Sequence, residues 1–235
     1  MSHPNQQQTY DRQAEDFAAK APGLMTWEFI SKPALDRVLN VDAHTVILDQ
    51  GSASGRVEEY LLGRGVKPAN ITGIELSSNQ VEIAKTRFPD VRFRQGDIRT
   101  LLPIQEVGTF DLVVSHMVYE FLDDEGLGQA LASAAAGLRK GGELVYIVTH
   151  PNKMILKEGL EDRGWFETSA PWGGKVDNWF RFVGDFVNAT TEAGFEIDVM
   201  ESLSIPDEAR EADPDQWEKY HNYGHMRLLI KATKL

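Results

Sequence analysis

Chemistry concentrates first in one stretch, VILDQGSASGRV, at residues 46–57. Apolar, largely β-branched residues end in an acid, Asp49. The turn that follows holds only small side chains at Gly51, Ser52, Ala53, Ser54 and Gly55. Small residues let a backbone pass close to a ligand and adopt dihedrals barred to larger ones. A helix starting near Arg56 would add free N–H groups for a polar or anionic ligand. A dinucleotide cradle, G-x-G-x-x-G, fails here, because counting from Gly51 puts Ala53 and Arg56 where the second and third glycines belong. The alternative spacing, acid-x-G-x-small-x-G, is met by Asp49, Gly51, Ala53 and Gly55. A strand-to-helix turn without any ligand is the competing reading.

The second chemical group is His150, which closes the apolar run ELVYIVTH just before Pro151. An imidazole titrates near neutral pH and can take a proton from a hydroxyl or heterocycle. It can equally well hydrogen-bond a neighbouring backbone. Beyond it, four of the five tryptophans, Trp165, Trp172, Trp179 and Trp217, follow residue 150. Trp165, Trp172 and Trp179, with Phe166 and Phe180, are expected either to wall a pocket for a flat or cationic acceptor or to hold a long lid in place.

Such groups need a frame, and the pattern supplies one. TVILD, ITGIE, VRFRQ, FDLVVS and ELVYIVTH read as strands. Helical periods lie between them: VEEYLLGRG, SSNQVEIAKTRF with Ser77 or Ser78 as N-cap, and a long DDEGLGQALASAAAGLRKGG ending at a glycine pair. YDRQAEDFAAKAP, ended by Pro22, and residues 26–39 form a helical start, and residues 151–179 show no long period. A helix, FRFVGDFVNATTEAG, and two strands, FEIDVMESL and HMRLLIKAT, close the chain. The predicted fold is α/β: a doubly wound, mostly parallel seven-stranded sheet with helices on both faces. Residues 1–235 form one domain in this reading, with an N-terminal helical cap at 1–40 and a lid inserted at 150–180 after the fifth strand.

Composition narrows the function classes. The 235 residues carry a formal net charge of -12, which speaks against a nucleic-acid partner. No cysteine is present, so disulfides, thiolate metal sites and thiol nucleophiles fall away. No apolar run reaches the length of a membrane span, and the polar start MSHPNQQQTY has no signal-peptide core. A cytoplasmic protein, monomer or homodimer, is expected. His221 and His225 stand four apart, but Asn222 and Gly224 between them argue against a helix, and no metal site is expected.

The glycine turn, with Glu75 ending the second strand twenty residues after Gly55, Asp97 in RQGDI, FDLVVSHMVYEFL and LRKGGELVY, resembles the class I S-adenosylmethionine-dependent methyltransferases of small molecules. The resemblance covers residues 10–149 well; Ala53 and Ser54 depart from the family's more usual glycine and threonine. It implies S-adenosylmethionine as cofactor and S-adenosylhomocysteine as product. It also implies cofactor contacts at Asp49, Gly51, Ser52, Ala53 and Gly55, a ribose carboxylate at Glu75 beside Leu76, and an adenine pair at Asp97 and Ile98. Ser115 would lie near the sulfonium through its backbone, and His116 would touch the cofactor or the acceptor. YDRQAEDF resembles the family's Tyr-Asp motif, whose helix covers the cofactor; Tyr10 would then reach the site, or it packs with Phe17.

The expected function is methyl transfer to nitrogen or oxygen of a small acceptor, aromatic or heterocyclic in kind. Alignment carries most of the chemistry, with His150 or Tyr10 as acid–base candidates and Trp165, Trp172 and Trp179 around the acceptor, joined by Tyr119 or Glu120, one of which is expected to face solvent. Rival readings are a protein or RNA methyltransferase, a silent cofactor-binding partner, and a nicotinamide-dependent reductase.

Overall fold

The computed structural model describes residues 6–20, 23–100 and 102–235. Pro22, expected to end the first helix, lies outside them. Five strands run parallel: β1 (Ile47–Gln50), β2 (Ile71–Glu75), β3 (Arg92–Gln95), β4 (Phe110–His116) and β5 (Leu138–Thr149). β8 (Phe195–Ser204) and β9 (His225–Lys234) complete a seven-stranded sheet ordered β3-β2-β1-β4-β5-β9-β8, in which β9 alone is reversed. Strand order reverses between β1 and β4, so the crevice for a ligand opens at the carboxyl ends of those two strands.

Helices cover both faces. On one side α2 (Lys32–Val38), α3 (Arg56–Gly63) and α4 (Ser78–Arg87) bury Leu35, Leu61 and Ala84 against Ile47, Ile71 and Val114. On the other, α5 (Asp124–Gly137) and α7 (Val183–Glu192) bury Leu127, Leu131 and Phe186 against Leu48, Val113 and Tyr146. β1 is buried along its whole length, which is why it reads as an unbroken apolar run rather than an alternation. α5 stops at Gly137, short of the glycine pair at Gly141 and Gly142, and Leu138–Lys140 already belong to β5. A Cβ at residue 137 would lie 2.6 Å from Leu102 Cδ1, so the helix ends where its backbone touches the neighbouring loop.

The segment after β5 is more ordered than its irregular sequence implies. α6 (Pro151–Glu158) is followed by a hairpin of β6 (Gly164–Ser169) and β7 (Lys175–Phe180). Pro151 at the first helical position and Gly159 in the left-handed conformation at the end are the signals that mark α6. The hairpin docks on α1 (Gln6–Lys20): Trp172 Nε1 donates to Gln13 Oε1 at 2.8 Å, and Gln13 Nε2 donates to the Lys175 carbonyl at 3.0 Å. Lys20 Nζ donates to the Trp172 carbonyl at 2.8 Å. α1 is also held on α4, where Ser77 Oγ donates to Asp11 Oδ1 at 2.6 Å and Asn79 Nδ2 to the Asp11 carbonyl at 2.9 Å. Cap and hairpin thus roof the crevice together. Two further helices, α8 (Ala209–Ala212) and α9 (Pro214–His221), precede β9. No helix among the described residues is long and apolar enough to cross a membrane.

Candidate active site

The turn after β1 is shaped by backbone, not by side chains. Gly51 has φ +89°, and a Cβ there would stand 2.3 Å from Val118 Cγ2. Gly55, also at φ +89°, caps α3, and its missing Cβ makes room for the Phe88 ring. Ala53 holds a left-handed φ of 45°, uncommon for a residue with a side chain. Its N–H donates to Glu75 Oε2 at 3.0 Å, while Ser77 N–H donates to Glu75 Oε1 at 2.8 Å. One carboxylate therefore locks the glycine turn to the β2–α4 junction. Burial raises the Glu75 carboxyl, opposed by the backbone N–H donors of Ser77, Ala53 and Leu76.

A cavity of about 860 Å³ opens on this turn, near the upper end of the range for ligand clefts. Along one end lie Glu75, Leu76, Asp97 and Ile98; Gly51, Ser52 and Ala53 form the floor with His116; Tyr10, Trp165 and Trp172 come from the roof. All of these were expected from sequence. Asp97 is held below the usual carboxylate range: burial works against this, but Arg99 outweighs it with hydrogen bonds of 2.6–3.0 Å to both oxygens. Tyr10 packs on Phe121 and Trp172, and Phe17 on Trp172, so the tyrosine both packs and faces the cavity. Burial, then Glu120 and Glu75, push the Tyr10 phenol well up, so it stays protonated.

Several expectations are corrected. His150 does not line the cavity. Its Nδ1 accepts the Asn152 N–H at 3.1 Å as the N-cap of α6, and its Nε2 meets Ser202 Oγ at 3.0 Å. Burial, then His225, lower it to about 4, so it is neutral and structurally committed. His150→Ala is expected to cost about 1 kcal/mol of stability through loss of the cap, yet to leave the pH profile of methyl transfer unchanged. A calorimetric melt beside a pH–rate profile checks this.

Tyr119 is fully buried in the core, where its hydroxyl donates to Gln50 Oε1 at 2.6 Å. Its neighbour Glu120 is buried too, so neither faces solvent, and it is Glu120 that reaches the cavity. Trp179 stands opposite Trp165 on the hairpin but gives its indole N–H to Asp124 at 3.0 Å, away from the cavity. Asp49, Gly55 and Ser115 lie behind the wall; Ser115 Oγ donates to the Gln50 carbonyl at 2.9 Å.

Asp49 is fully buried beside Glu58, and neither carboxyl accepts an N–H from the described residues. A proton held by one of the two carboxyls would remove the repulsion between two buried charges. Burial raises both groups, and Asp49 raises Glu58 further. An acid raised on folding favours the native state below its unfolded pKa, near 4, and that contribution is lost as pH rises through the folded value. Asp49→Asn is therefore expected to flatten the fall in melting temperature of the free protein between about pH 5 and pH 8. Equal slopes for the two proteins would contradict the retained proton.

Other wall residues were not read from sequence: Arg56, Lys153, Lys157 and Arg227, with Tyr220 and Tyr223. Two signals point to them. Lys153 and Lys157 share a helix face on α6, and Arg227 is the first charge in an otherwise apolar buried strand, HMRLLI. His116 sits among them. Its Nε2 meets Ser31 Oγ at 2.9 Å, and burial, then Arg227 and Arg56, lower it well below its ordinary value. Among the described residues no three His, Asp or Glu side chains gather as a metal-ligand set; His221 ends α9 and His225 opens β9.

Comparison with known proteins follows the same lines. The family described as "Methyltransferase domain" matches residues 47–142. Trans-aconitate 2-methyltransferase of Rhizobium rhizogenes is 26% identical over 147 residues, 60% of this chain and 55% of that protein. Arsenite methyltransferase of Mus musculus is 34% identical over 116 residues, 43% of this chain and 29% of that protein. The chain thus spans about half the length, or less, of these curated relatives. An S-adenosylmethionine-dependent methyltransferase from Mesorhizobium loti superposes with a TM-score of 0.71 at 22% identity, over 91% of this chain and 99% of that one. The [4+2]-cyclase SpnF superposes equally well, with a TM-score of 0.71 at 18% identity, over 100% and 98% of the two chains. At these identities the likeness speaks for the fold alone, and the cyclase's name is a reminder that fold does not fix reaction. The domain match begins on β1 and ends within β5, spanning the strands whose tips carry Gly51, Glu75, Asp97 and His116, so this segment is similar to a methyltransferase domain and the whole chain shares the fold of an S-adenosylmethionine-dependent methyltransferase.

Proposed function

We propose that this chain transfers a methyl group from S-adenosylmethionine to a nitrogen or oxygen of a small acceptor. The observation that carries this reading is the roofed cavity, which runs from Glu75 and Asp97 past the glycine turn to α6 and β9. The wall fits the cofactor. Glu75 keeps lone pairs for a ribose diol, Asp97 is an ionised acceptor for an adenine amine, and Ile98 offers an apolar face. Gly51 leaves open the volume that any Cβ would fill, and the buried Tyr10 hydroxyl has no partner among the described residues. Arg56, with a buried Nη2 likewise unpartnered, suits a carboxylate near the start of α3.

Bound S-adenosylmethionine supplies an electrophilic methyl group on a sulfonium whose leaving group is a neutral thioether. The protein's own part is alignment, exclusion of water and handling of one proton. α1 and the hairpin exclude water. Glu120 handles the proton: its Oε1 is fixed by Thr149 N–H at 3.3 Å and Thr149 Oγ1 at 3.2 Å, and its Oε2 is buried and unpartnered. Burial raises the Glu120 carboxyl, which makes its ionised form a better base toward a hydroxyl or amine.

A roofed cavity favours a small acceptor over a protein or RNA, and the names of the relatives in Rhizobium rhizogenes and Mus musculus agree with that. The test is transfer of a radiolabelled methyl group across small hydroxyl and amine acceptors, with total protein and RNA as parallel substrates. Label entering only the macromolecules would overturn the small-acceptor reading.

A further inference from the structure

Cations line the cavity from three elements, α6, α9 and β9, all outside the matched domain segment 47–142. Lys153 and Lys157 come from α6, and Arg227 from β9. Lys219 of α9 stands on the same wall, with Tyr220 and Tyr223 beside it. These cations therefore line the cavity from elements that the domain match does not reach.

Arg227 is the informative one. A guanidinium carries five N–H donors, and burying it without acceptors is costly. The chain's other buried arginine on this side, Arg181, shows how that cost is met. It donates to the carbonyls of Tyr119 and Leu122 and to Asp124 Oδ1. Arg227 is 6% exposed, donates from Nη1 only to its neighbouring Met226 carbonyl at 2.9 Å, and leaves Nε buried without a partner. Among the described residues it makes no ion pair; Glu120, its nearest opposite charge in effect, keeps Oε2 unpartnered as well. Lys153 also makes no hydrogen bond or ion pair among the described residues, although the cavity takes it largely out of water.

We propose that the acceptor is a carboxylate-bearing small molecule, its carboxylate held between Arg227 on β9 and Lys153 on α6, so that its nucleophile faces Glu120. This rests on the methyl-transfer reading of the same cavity. A planar carboxylate matches the fork of a guanidinium, and its single negative charge suits two cations already offset by one Glu120. A phosphate dianion would overshoot that balance and leave the cluster with a net negative charge. The electrostatics agree. Burial, then Arg227 and Lys157, push the Lys153 ammonium down to about 7, with Glu120 opposing and Lys219 adding to it. An anion between the two cations removes the strain that each places on the other.

The experiment is calorimetric titration of the full chain, in low-chloride buffer, with benzoate and succinate, with benzamide and succinamide as neutral controls, and with inorganic phosphate. Each is run with and without saturating S-adenosylhomocysteine. The expected result is binding of at least one carboxylate and of neither amide. Its affinity should fall by about tenfold or more in Lys153→Met, the equivalent of one charge-assisted hydrogen bond, and by at least as much in Arg227→Gln. Affinity for S-adenosylhomocysteine should stay unchanged in Lys153→Met. Because Arg227 is buried and its variant can unfold, the Lys153 variant, on the cavity wall and less buried, decides on its own. Equal binding of acid and amide, absence of carboxylate binding, tighter binding of phosphate, or an unaltered carboxylate affinity in Lys153→Met would each overturn the proposal. Failure of S-adenosylhomocysteine to bind would instead count against the cofactor reading, while the titrations without it still judge the anion site.

Discussion

Glu75→Ala is expected to weaken S-adenosylhomocysteine binding by about two orders of magnitude or more. Two losses add. The ribose hydroxyls lose a charged acceptor, worth about 1.5–3 kcal/mol per hydrogen bond. The N–H groups of Ala53 and Ser77, now 3.0 and 2.8 Å from the carboxylate, lose theirs as well. Ala53 holds its left-handed φ of 45° under that clamp, so the turn relaxes once the clamp is gone. Glu75→Gln separates the two effects. An amide can accept from one N–H but turns a donor toward the other, so the variant should fold with intermediate stability and still bind poorly. Wild-type affinity in Glu75→Ala would show that this acid serves the turn alone.

The clamp was half legible in the sequence. Glu75 stands out because apolar strands followed by helices place their terminal acids at one sheet edge, and Asp97 is found in the same way. Periodicity finds strand ends well. It says little about which way a side chain turns once the strand has ended. His150 looked like a base at a strand tip, but Pro151 starts a helix at once and converts it into an N-cap. Tyr119 sits in a short 3₁₀ turn, Tyr119–Phe121, that rolls it into the core and presents Glu120 in its place. Asp49 is followed by a turn that bends over it, so the acid faces Glu58 behind the wall. The cations of α6 and β9 escaped because two surface-like lysines and one arginine are ordinary residues in a sequence. Only the fold shows that a buried Arg227 lacks the acceptors that Arg181 has.

Gly51→Ala is the second large effect. At φ +89° an L-residue is strained whatever its surroundings, and the added methyl would stand 2.3 Å from Val118 Cγ2 and 2.8 Å from Val118 Cγ1. Val118 itself follows Met117, whose φ of 60° is left-handed, so the facing loop has little freedom to retreat. Backbone strain and overpacking together are expected to cost about 2–4 kcal/mol, a fall in melting temperature on the order of 10 °C for a domain of this size. Whatever protein remains folded should no longer gain stability from S-adenosylhomocysteine, because the turn and the β4 tip are forced apart where the cofactor would lie. Val118→Ala in the same chain should restore part of the stability by opening the space. A Gly51→Ala protein that melts like wild type and is stabilised by S-adenosylhomocysteine would remove the close-approach argument for this turn.

The measurement that bears most directly on the whole account is calorimetric titration of the purified chain with S-adenosylhomocysteine, with NADH as the counter-ligand. One-to-one binding of S-adenosylhomocysteine, lost in Glu75→Ala and absent for NADH, is the predicted result. No binding of S-adenosylhomocysteine, or a preference for NADH, would contradict it and leave the glycine turn without a ligand to explain it.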